Sequence, residues 1–153
     1  MATKGNVDYS ARRHIQYFVS GTAEKGQMLV MNTNGYSGIA NENANRYAYV
    51  AGDASGKVLI GFCENKVVNY DLTRQKLNPF DPLEVQTGSK ISIIYQGWMD
   101  TNQISGSPTA GATAYVGPTG TVSAIQLNAG WASFGRFLTA KDANGYAQVQ
   151  VNL

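Results

Sequence analysis

The stretch "AQVQVNL", residues 147–153, follows "RFLTAK" (136–141) and the turn "DANGY" (142–146). Its apolar residues Ala147, Val149, Val151 and Leu153 fall on one set of alternate positions. Gln148, Gln150 and Asn152 fall on the other. Successive side chains of a β-strand point to opposite faces, so this strand has one core face and one amide face. Asn144-Gly145 supplies the positive φ angles of a tight turn, and the two runs therefore predict a hairpin. Val149, Val151 and Leu153 are expected in the core, each burial contributing roughly 1.5–3 kcal/mol.

The same pattern extends outward from this hairpin. "HIQYFVS" (14–20) ends at Gly21, and "QMLVMN" (27–32) ends at the turn signal Asn34-Gly35. "RYAYVAG" (46–52) and "KVLIGFC" (57–63) flank "DASG" and read as a hairpin. "KISIIYQGWM" (90–99) is the strongest apolar run and reads as a central strand. "ATAYVG" and "TVSAIQL" flank the turn "PTG". The sole helix candidate is "DLTRQKL" (71–77), with Asp71 as N-cap and a stop before Pro79; it is at most two turns long, and a loop fits equally well. Residues 48–62 resemble residues 114–124, each reading strand, glycine turn, strand. Similar hairpins of one barrel explain this, with a duplicated unit as the alternative. Short strands with regularly spaced turns predict an all-β fold: a compact antiparallel β-barrel or β-sandwich with at most one short helix. One β domain is expected over residues 14–153, preceded by an N-terminal arm or extended segment, residues 1–13.

Composition agrees. The chain has 153 residues, enough for one sizeable core, and only 14% are charged, against roughly 25% in an average globular protein. Its 17 glycines and its Asn, Gln, Ser and Thr suit strands and turns better than a helical bundle. The net charge is +2. No Lys/Arg run could track a phosphate backbone, and the aromatics are not interleaved with a basic stripe, so nucleic acid is not an expected partner. No apolar run approaches membrane-spanning length, and "MATKGNVDYS" lacks the apolar core of a signal peptide. Synthesis in a host cytoplasm and no membrane partner are expected. The single cysteine, Cys63, reads as a small core residue.

Catalytic signals are sparse. His14 is the only histidine, and no G-x-S-x-G elbow, Walker motif, G-x-G-x-x-G or EF-hand loop is present. The acidic residues are scattered; the closest pair, Asp81 and Glu84, flanks a proline loop. A glycosidase pair assembled from distant carboxylates is a weaker reading in so small a β domain. The expectation is a protein with no enzymatic activity, no cofactor and no metal.

Charges are the usual defence of exposed sheet edges, and interfaces deplete charge while enriching aromatics. A low-charge strand-rich chain is therefore expected to cover its edges by self-association or by docking. A monomer with a Thr/Asn/Gln-rich surface is the plainer alternative. Five residues are candidate partner contacts. Arg12 and Arg13 form the only adjacent basic pair, read first as solvated and second as a contact for an acidic surface. In "LNPFDPL" (77–83) Pro79 and Pro82 restrict Phe80, which is equally well a plug for the barrel end or a stiff hook. Trp131, beside Gly130, is expected to be exposed, whereas Trp98 should be at least half buried.

Residues 88–104 ("GSKISIIYQGWMDTNQI"), 111–124 ("GATAYVGPTGTVSA") and 134–153 together resemble the capsid decoration, or cement, proteins of tailed bacteriophages. "GKVLIGFCENKVVN" (56–69) adds a weaker likeness, while residues 1–45 and 77–83 carry none. The resemblance implies a non-enzymatic virion protein on the outer capsid surface, with the major capsid protein as partner. It further implies a homo-oligomer, a trimer by preference, that staples the lattice. A ligand that binds only the mature lattice stabilises it by mass action. A carbohydrate-binding β module of a virion fibre or lectin-like protein, using Trp98, Trp131 or tyrosines, is the alternative. A head-tail or tail-tube component is a third, though such parts usually carry longer loops or helices.

Overall fold

The computed structural model describes residues 10–31, 47–68, 84–85 and 90–153. Within these lie strands β1 (Arg12–Val19), β2 (Ala23–Glu24), β3 (Met28–Met31), β4 (Tyr47–Tyr49), β5 (Leu59–Val68) and β6 (Glu84–Val85). They are followed by β7 (Lys90–Thr101), β8 (Ile104–Ser105), β9 (Thr113–Val116), β10 (Val122–Ser123), β11 (Ser133–Phe137) and β12 (Ala147–Asn152). Among the described residues the one helical element is a 3₁₀ turn, Pro118–Gly120. The fold is all-β, and of the two expected architectures it is the barrel.

The barrel closes because β7 has partners on both sides. Strands run in the order β1-β4-β3-β5-β7, and β7 pairs back onto β1. The barrel is not purely antiparallel: β1 and β4 run parallel. β7 is long enough to serve two structures. Its first half lies against β1 and β5, and from Gln96 to Thr101 it pairs with β12. From there the sheet continues β12-β11-β9-β10-β8 outside the barrel. β2 and β6 form a separate two-stranded pair.

Two cores follow from this arrangement. Val19, Leu29, Ala48, Ile60, Cys63, Ile91 and Ile93 come from all five barrel strands and fill the barrel. Met28, Val30, Phe62 and Ile94 sit on the opposite face of β3, β5 and β7 and pack against Met99, Val116, Val122, Phe134, Phe137, Val149 and Val151. Phe62 and Phe134 join the layers edge-to-face, with ring centroids 5.5 Å apart, a favoured aromatic geometry. Burial pushes the Cys63 thiol up to about 12, so it stays protonated and packs as a small apolar side chain.

Several sequence expectations are met and others corrected. The β11–β12 hairpin forms, with Phe137 opposite Val149 and Gly135 opposite Val151. β11 ends at Phe137, however, four residues before the end of the run read as its strand. Asp142 caps the intervening loop by accepting from the amides of Asn144 and Tyr146. Val149 and Val151 are fully buried, but Leu153 is 45% exposed. Its amide still bonds the Tyr95 carbonyl, but its side chain extends past the last core layer. β4 and β5 are not a hairpin: β3 lies between them and pairs with both. The likeness between residues 48–62 and 114–124 is therefore not a shared unit, since only β9 and β10 form a hairpin. β1 begins at Arg12, so both arginines lie in extended strand. The helix candidate 71–77 and the contacts Pro79 and Phe80 lie outside the described residues.

Candidate functional site

The amide face of β12 is the centre of a continuous polar surface. Antiparallel register places Asn152 opposite Gln96, Gln150 opposite Trp98 and Gln148 opposite Asp100 on β7. On the other flank Arg136 of β11 lies opposite Gln150 and Thr113 of β9 opposite Arg136. Beyond β7, Arg12 of β1 lies opposite Gln96. Residues directly opposite one another share a sheet face. One side of the sheet therefore carries the rows Arg12–Gln96–Asn152, Trp98–Gln150–Arg136–Thr113 and Asp100–Gln148. Cross-strand amide bonds order it: Gln96 Nε2 donates to Asn152 Oδ1 at 3.3 Å, and Gln148 Nε2 donates to Asp100 Oδ1 at 3.3 Å.

Shallow grooves cross this face. One of 430 Å³ is lined by Ser10, Arg12, Gln96, Gly97, Gln150 and Asn152. A second of 340 Å³ is lined by Ser133, Phe134, Arg136, Gln150 and Asn152. They share Gln150 and Asn152, and among the described residues neither lining contains a carboxylate. A third groove at the opposite end of β12 is lined by Asp100, Thr139, Asp142, Tyr146 and Gln148. The face is thus polarised, arginines at one end and carboxylates at the other, on strands whose reverse side is fully packed core.

The sequence-predicted contacts separate here. Arg12 is exposed and lies on this face. Arg13 points elsewhere: its Nε donates to Glu64 Oε2 at 2.8 Å, and its Nη1 to the Ala11 carbonyl at 3.0 Å. Ser92 Oγ donates to the same Glu64 oxygen at 2.7 Å. Burial of Glu64 opposes its ionisation, but the hydrogen bonds from Arg13 and Ser92 and the charges of Arg13 and Lys25 outweigh it, so its carboxyl sits below the ordinary range. Arg13 is therefore a structural ion-pair partner. Because the folded-state value is depressed, this stabilisation is present above the unfolded carboxylate range and disappears as acid titrates Glu64. Arg13→Ala is expected to cost about 1–2 kcal/mol at neutral pH, with the gap to wild type closing as acid protonates Glu64 below the ordinary carboxylate range. Urea unfolding at neutral and at acid pH measures this.

Trp131 corrects its expectation. It is only 7% exposed and belongs to the second core. Its Nε1 donates to Asp53 Oδ1 at 2.8 Å, and its own amide bonds the Asn128 carbonyl. The Ser55 amide bonds the same Asp53 oxygen at 2.9 Å. These two donors, Ser55 first and Trp131 second, hold the Asp53 carboxyl below its ordinary range. Trp131 therefore fastens the loop after β4 to the loop before β11 and cannot serve as a sugar platform. Trp131→Ala should cost about 3–5 kcal/mol, as large core truncations do. A melting temperature unchanged in that variant would contradict the burial. No local sequence signal marks this contact, because Asp53 is far away along the chain.

Sequence reading missed Gln96, Arg136 and Asp100 as surface partners; only their register against β12 brings them together. Among the described residues no three His, Cys, Asp or Glu side chains gather as a metal site would require, and no helix there is long and apolar enough to cross a membrane. The fold and face together define a β-barrel protein with an appended sheet that presents an ordered, amide-rich, polarised surface. No protein-family model matches the chain, and no curated protein matches it either.

Proposed function

We propose that the protein is a non-enzymatic virion structural protein that binds the outer surface of a tailed-phage capsid and stabilises the lattice of major capsid subunits. The observation that carries this reading is the polar face built over β7, β12 and β11. Apart from Ser133, those strands fall in residues 88–104 and 134–153, the segments with the decoration-protein likeness. Strands backed by the second core hold the face in one shape, so docking costs little ordering entropy. Self-association, preferentially as a trimer, accompanies this reading because the chain has few charges with which to protect its edges. Mixing the protein with empty expanded capsids tests it. Co-sedimentation that saturates at a fixed ratio to capsid subunits is expected, and recovery of all the protein in the supernatant would overturn it. Reconstructed particles showing isolated copies without mutual contacts would remove the trimer.

A second reading, carbohydrate binding, is favoured by one feature. Trp98 is partly exposed and lies on the same face as Gln96, Gln148, Gln150 and Asn152, and an aromatic ring among amides suits a sugar. Retention on polysaccharide resin, lost in Trp98→Ala, would support it.

A further inference from the structure

We infer that the arginine end of this face is a docking site for an extended acidic segment of a protein partner, which rests on the capsid-binding reading and gives the partner's contact its chemistry. The two grooves that meet at Gln150 and Asn152 carry Arg12 on one side and Arg136 on the other. Both guanidiniums are on exposed residues, and neither makes an ion pair among the described residues, where Arg13–Glu64 is the pair found. Arginine presents a planar fork of donors that matches a carboxylate. Between the arginines lie Gln96, Gln150 and Asn152, whose amides both donate and accept and so match peptide groups.

Spacing identifies the form of the ligand. Arg12 and Arg136 lie three strand separations apart across the sheet and two residues apart along it. With strands about 4.8 Å apart and a rise of about 3.3 Å per residue, the two α-carbons are roughly 16 Å apart. An extended polypeptide covers that distance in about four or five residues. Two acidic residues at that separation would reach both arginines while the intervening backbone crosses the amides. The opposite end of the face separates polypeptide from anionic polysaccharide. Asp100 lies opposite Gln148, one row from Trp98 and Gln150, and Asp142 lines the groove beyond it; a chain charged on every unit meets that negative field along its whole crossing, whereas a peptide can place its acids at the two arginines alone.

The test uses the isotope-labelled full chain and a short peptide carrying two glutamates about four residues apart. Saturable shifts confined to backbone amides of β11, β12, the Gln96–Trp98 part of β7 and the start of β1 are expected. Affinity should fall about tenfold in Arg12→Gln/Arg136→Gln, two exposed charge pairs being lost, and comparably for the peptide with glutamines in place of glutamates. Absence of shifts at this face, or equal binding of the glutamine peptide, overturns the site. So does tighter binding of polygalacturonate than of the peptide, which would assign the face to an acidic glycan. Concentration-dependent self-association that the double variant abolishes while peptide has no effect would assign it to a second copy and likewise overturn it. Capsid co-sedimentation is scored separately. A double variant that melts and sediments with capsids as wild type does removes this site and leaves capsid binding standing. Peptide binding without capsid co-sedimentation leaves the site and removes the capsid.

Discussion

Deleting residues 149–153 is expected to abolish folding. Val149 and Val151 are each 0% exposed, and losing both burials removes roughly 3–6 kcal/mol. The deletion also strips the ladder bonds that β12 makes with both β7 and β11. This leaves residues 96–99 of β7 and 135–137 of β11 with unpaired backbone groups next to exposed core. A domain of this size has only about 5–15 kcal/mol of total stability, and uncovered edges seed aggregation. Deleting Leu153 alone should change stability by less than about 1 kcal/mol, because its side chain is largely in solvent already. Thermal melts of the two truncations separate the cases. Equal melting temperatures for the five-residue truncation and the full chain would mean that β12 is peripheral.

The contrast between Val151 and Leu153 shows how far the sequence could be read. Alternation gives the phase of a strand, and the phase of β12 is right at every position. It does not give the place where the opposing layer stops, which depends on strands elsewhere in the chain. The same limit explains the β4–β5 correction. "DASG" is good turn chemistry, yet turn chemistry cannot exclude insertion of β3, whose pairing with both strands is a long-range choice made by packing. Trp131 is the sharpest case. Its glycine neighbour suggested exposure, but Asp53, brought near by the β3–β4–β5 arrangement, gives its indole N–H a partner and permits burial. The polar face was half legible. Gln148, Gln150 and Asn152 declared themselves in the alternation, whereas Arg136 and Arg12 joined them only through register.

Gly61→Val is expected to be the most damaging single substitution in the barrel. Around Gly61 the alternation of β5 slips by one residue. Leu59 packs toward the second core and Ile60 toward the barrel, then Phe62 faces the second core and Cys63 the barrel. The register against β3 records the slip, with Met28 opposite Phe62 and Val30 opposite Leu59, so one extra residue of β5 is accommodated in between. Such a bulge needs a residue tolerant of positive φ, and Gly61 has φ +132°. A β-carbon there would run into the carbonyl oxygen of Ile94 and come within 2.8 Å of Ile93 Cγ2. The obstacle is backbone of the central strand, which cannot swing aside as a side chain can. Overpacking typically costs about 1–3 kcal/mol, and forced positive φ adds about 1–3 kcal/mol. A loss of roughly 3–5 kcal/mol is therefore expected for Gly61→Val, with Gly61→Ala nearly as severe because the first added carbon already collides. Gly52→Ala is the control, since no described residue lies within 4 Å of its added carbon, and it should be close to neutral. Chemical denaturation of the three variants decides the matter. A Gly61→Val protein as stable as Gly52→Ala would show that the strand phase is set elsewhere and that β5 and β7 can separate without loss.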